Sequence, residues 1–70
     1  MKEANKMFHY NMTVEKSALC WLYNASDKLK VNKNLEDNHF QVFICTNLNR
    51  EEMLSQYGHW IVTINEAQLA

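Results

Sequence analysis

The punctuation around residues 47–58 fixes one element of this chain more firmly than any other stretch. With Asn49 as N-cap, its side chain can accept from the amide of Glu52. Glu52, at N3, can reach back to the amide of Asn49, and the two make a capping box. Leu48 and Met53 then fall at the two positions of a hydrophobic staple. Glu51 and Glu52 occupy the first turn, where the helix dipole favours negative charge. Gly58 offers a left-handed stop. Start and stop together predict a helix of about two turns, which persists only if Met53, Leu54 and Tyr57 pack onto something.

On either side the chain turns β-like. Phe40, Val42 and Ile44 alternate with Gln41, Phe43 and Cys45, and the near-absence of polar residues predicts a central strand covered on both faces. After Gly58, Trp60, Val62 and Ile64 share one face of a second strand, with Ile61 and Thr63 on the other. Further upstream, Phe8, Tyr10 and Met12 alternate with His9 and Asn11, a half-buried strand. Thr13 can cap a helix, and Val14, Ala18, Leu22, Ala25 and Leu29 recur every three or four residues, which predicts a helix over residues 14–30. Residues 31–38 read as a polar loop, and residues 1–6 and 66–70 as flexible tails. The sum is a single small two-layer domain of the α+β or α/β class, in β-α-β-α-β order, with a three-stranded sheet and two helices. The strands are parallel if both connections are right-handed crossovers; an antiparallel edge made by the first strand is the alternative.

With 70 residues, no Pro and one Gly, the chain has no visible linker, and a domain of this size buries only roughly 60% of its extended surface. Its two Cys are too few for a disulfide framework, no secretory leader is read at Met1, and no apolar run is long enough to span a bilayer. A cytoplasmic protein, not associated with membrane, is expected. Formal charge is −1, which argues against nucleic acid as a partner, although Lys28, Lys30 and Lys33 cluster. His9, His39, His59, Cys20 and Cys45 form no metal-ligand spacing, and Cys20 and Cys45 read as small buried residues. No phosphate cradle or catalytic constellation stands out. The expectation is a non-enzyme with no metal and no cofactor.

Leu48 to Gly58 resembles the first helix and turn glycine of winged-helix regulators of the Crp type, which implies a helix-turn-helix that binds DNA. The segment that would be the recognition helix, residues 59–70, has no Lys or Arg and is rich in β-branched residues. The chain carries more large apolar groups than three strands and two helices can cover, with Trp21, Tyr23, Phe43 and Trp60 the candidate partner-binding residues. They point to a small protein-protein interaction module, a regulator or inhibitor. It would dock on another protein, on itself as a homodimer, or both. Small size with an Asn- and Lys-rich composition associates it with phages and other mobile elements.

Overall fold

The structure, a computed structural model, describes residues 7–67. The tail expected at residues 1–6 lies outside them, as do residues 68–70 of the tail expected at the other end. The chain runs through β1 (Phe8–Glu15), a 3₁₀ turn (Lys16–Ala18) continuing into α1 (Leu19–Ala25), β2 (Lys28–Leu35), β3 (His39–Thr46), α2 (Arg50–Tyr57), a second 3₁₀ turn (Gly58–Trp60) and β4 (Ile61–Glu66). The four strands form one sheet in the order β2-β3-β1-β4, and every neighbouring pair is antiparallel. Each β-α-β unit therefore has a foreign strand inserted between its own two, the split arrangement of ferredoxin-like α+β domains.

This corrects the expected order by one strand. Of the polar stretch expected as a loop at 31–38, only residues 36–38 form a turn; residues 28–35 form β2, an outer strand whose Lys and Asn side chains suit a sheet edge. The long helix expected at 14–30 contracts to a 3₁₀ turn and seven helical residues. Val14 belongs to β1 and is fully buried in its ladder, while Leu29 is an inward residue of β2. Thr13, expected as a cap, lies within β1. The first strand is not an edge either; it sits between β3 and β4.

Both helices lie on one face of the sheet. Tyr10, Met12 and Val14 of β1, Val42 and Ile44 of β3, Leu29 of β2 and Ile64 of β4 form one core with Ala18, Leu22 and Met53 from the helical layer. The helix around Met53 is the one predicted. Asn49 Oδ1 accepts from the Glu52 amide at 2.8 Å and Glu52 Oε1 accepts from the Asn49 amide at 2.9 Å. Leu48 packs half-buried against the core that Met53 enters. Leu54, expected to pack, is instead exposed. Gly58 is also not left-handed; at φ −57° it starts the second 3₁₀ turn, which carries the chain on to β4.

Polar groups tie the strand ends to the helical layer. Thr46, the one buried polar residue among those described, donates from Oγ1 to the Ala25 carbonyl at 2.8 Å and accepts from the Leu48 amide at 3.3 Å. The Tyr10 hydroxyl donates to the Leu48 carbonyl at 3.0 Å. Burial raises the Tyr10 phenol above its ordinary pKa; Glu66 and Glu52 add to the shift, and Arg50 opposes it.

Two bulges adjust which residues face the helices. In β2 the register slips between Val31 and Lys33, leaving Asn32 without an opposite residue. In β4 the slip falls at Val62, which is 57% exposed, so Ile61 rather than Val62 pairs with Val14 and packs against the core. The expected shared face of Trp60, Val62 and Ile64 is broken there.

Candidate docking surfaces

The aromatic residues singled out from the sequence divide among three places. Trp21 projects from α1 and is 55% exposed; Trp60 comes from the turn that follows α2. Their rings stack with centroids 6.4 Å apart and planes 9° from parallel. Tyr57 stacks on Trp60 at 6.2 Å, and His59 lies 4.1 Å from it at a tilt of 38°. Trp60 is thus the hub of a surface cluster that bridges α1 and the end of α2. Leu54, one turn before Tyr57, is exposed on the same helix. Nothing in the sequence placed Tyr57 and His59 in the cluster, because their contact depends on the 3₁₀ turn at Gly58.

Tyr23 stays outside that cluster. Two residues beyond Trp21 on α1, it is turned about 200° around the helix and is 58% exposed.

Phe43 is on the opposite face of the sheet, which no described element covers. The expectation of a strand covered on both sides fails at this point: β3 is central, but Phe43 and Cys45 are half-exposed on its open side. His9 of β1 stacks on Phe43 with centroids 5.9 Å apart. Cα pairing aligns Lys30, Phe43, Asn11 and Asn65 in one row across all four strands. A second row aligns Lys33, Gln41, Thr13 and Thr63. Between the rows lies a cleft of about 160 Å³ lined by Asn11, Asn32, Gln41, Thr63 and Asn65.

Cys20 and Cys45 are free thiols; Cys20 is exposed and Cys45 half-exposed, where both were expected to be buried. Cys20 and His39 border a wide groove of about 960 Å³ together with Glu15, Lys16 and Asp37. The groove is open to water, so it gives a nucleophile none of the shielding that a closed site provides. Among the described residues, no group of three or more His, Cys, Asp and Glu side chains is placed to hold a metal ion. Among the same residues, no helix is long and apolar enough to cross a membrane. Where the helix-turn-helix resemblance would require a recognition helix, the chain forms the 3₁₀ turn and β4.

No protein-family model matches this chain, and neither a curated protein nor a solved structure matches it.

Proposed function

We propose that this chain is a non-enzymatic interaction module, a small regulator or inhibitor that acts by docking on another protein. The observation that carries it is the stack of Trp21 on Trp60. Exposed Trp21 lies parallel to half-buried Trp60, which packs against the core and is flanked by Tyr57 and His59, so the pair is large, already ordered and bridges two separate elements. Burying such groups releases much apolar area at little cost in side-chain entropy, which is why Trp and Tyr dominate the energetics of protein interfaces. Leu54 adds apolar surface on α2. The mechanism would be occlusion of the partner's own binding surface.

The test is an affinity capture of the tagged full chain from nuclease-treated host lysate, run in parallel with Trp21→Ala, with sedimentation of the purified protein alongside. One stoichiometric partner, lost with the variant, supports the proposal. A homodimer that the variant dissociates makes the partner a second copy of this chain. A monomer whose captured proteins do not change with Trp21→Ala overturns it.

A further inference from the structure

We propose that the open face of the sheet is a binding site for single-stranded RNA. This site is separate from the aromatic cluster on the helical side.

Such a site needs cations for the phosphates, flat groups on which bases stack, and donors and acceptors for base edges and the ribose 2′-hydroxyl. The open face holds all three in ordered positions. Phe43 and His9 supply adjacent ring faces on the two central strands. Asn11, Asn65 and Gln41, with Thr13 and Thr63, line up beside them, and several of these side chains surround the cleft of about 160 Å³. Carboxamides pair in a bidentate way with base edges, and hydroxyl and amide groups can both donate to and accept from a 2′-hydroxyl. That wealth of polar groups favours RNA over DNA.

Charge completes the match. The net charge of −1 hides how the fold sorts its cations by face. Lys28, Lys30 and Lys33 pair with Cys45, Phe43 and Gln41, all residues of the open side. The spacing from Lys30 to Lys33 is odd, and in a regular strand it would put Lys33 on the helical side. The bulge at Asn32 restores it to the open side. Protection of a sheet edge explains lysines on an outer strand. It does not explain a bulge that aligns three of them beside an aromatic pair and a bank of amides. Glu15 bounds the face at its far end, opposite His39.

The test measures fluorescence polarisation of a labelled mixed-sequence single-stranded RNA, about 4–16 nucleotides long, titrated with the full chain. Saturable binding is expected. Its affinity should fall with salt at a log-log slope near −2, from three phosphate contacts at about −0.7 each. Phe43→Ala should weaken binding by about 5–160-fold, the worth of one stacked base. Lys30→Gln and Lys33→Gln alter exposed side chains that leave the core intact, and each should flatten the salt slope by about 0.7. Absence of saturable binding overturns the proposal, as do variants that bind like the parent. Equal affinity for DNA of the same sequence overturns the assignment to RNA. A dimer that only Phe43→Ala dissociates would show that the face is covered by a second copy instead.

Discussion

Trp21 and Trp60 lie face to face, 6.4 Å between ring centroids, although one belongs to α1 and the other to the turn entering β4. The contact ties the two halves of the helical layer together at the surface, where burial contributes less than in the core.

Trp21→Ala is therefore expected to separate folding from binding. Loss of the stacked pair should cost about 0.5–1.5 kcal/mol beyond the apolar area that truncation uncovers, read from a double-mutant cycle with Trp60 by urea unfolding, while affinity for the captured partner falls roughly thirtyfold or more, as for an interface anchor. Collapse of the fold with this variant would make the pair part of the core.

Met53 is the opposite case. It is 0% exposed and is the buried contact that α2 makes with the sheet-side core. Met53→Ala should cost about 2–5 kcal/mol, a large share of the stability of a domain this small. Denaturant unfolding followed by circular dichroism measures it. A cost below about 1 kcal/mol would mean that something else anchors α2.

Asn49→Ala removes one half of the capping box and leaves the Glu52 amide without its acceptor. The expected loss is about 0.5–2 kcal/mol, with Asn49→Ser close to the parent. Equal losses for the two substitutions would show that the cap contributes nothing through its side-chain oxygen.

Tyr10 gives the fold a dependence on alkaline pH. Its folded pKa is raised above the ordinary value of about 10, so the protonated phenol is favoured by folding. The contribution is complete below that ordinary value. It is lost as pH rises through the folded pKa, because the folded state then holds a proton that the unfolded state has released. Thermal unfolding across the alkaline range should show the decline in the parent and a weaker one in Tyr10→Phe. The variant also gives up the hydrogen bond to the Leu48 carbonyl, worth about 0.5–1.5 kcal/mol at neutral pH.

What the sequence makes legible is local. Asn49 and Glu52 announce their helix because both partners of the cap lie within four residues, and Phe8, Tyr10 and Met12 show their alternation directly. The helical spacing over residues 14–30 is a coincidence of phase. Val14 is the last inward residue of β1, Ala18 and Leu22 are the inward residues of the helical segment, and Leu29 is the first inward residue of β2. Their spacings imitate one long helix although three kinds of element contribute. In β2, the bulge at Asn32 breaks the alternation that would have revealed a strand.

The candidate surfaces followed the same rule. Trp21 and Trp60 were recognisable singly as large groups short of cover, but their stacking depends on tertiary placement. His9 and Asn11 were legible as outward residues of the first strand. Their alignment with Phe43 and Lys30 depends on cross-strand register, which nothing local encodes.

The strand order also has a consequence during synthesis. β1 is made before the other strands, yet its two neighbours are β3 and β4. The β2–β3 hairpin can close as soon as it emerges, across the three-residue turn between Leu35 and His39. Tyr10, Met12 and Val14 must wait for β3, and one flank of β1 stays unpaired until the segment ending in Glu66 has left the ribosome. A nascent chain stopped short of Ile61 would therefore present its central strand as an open edge, available to chaperones or to a second nascent chain.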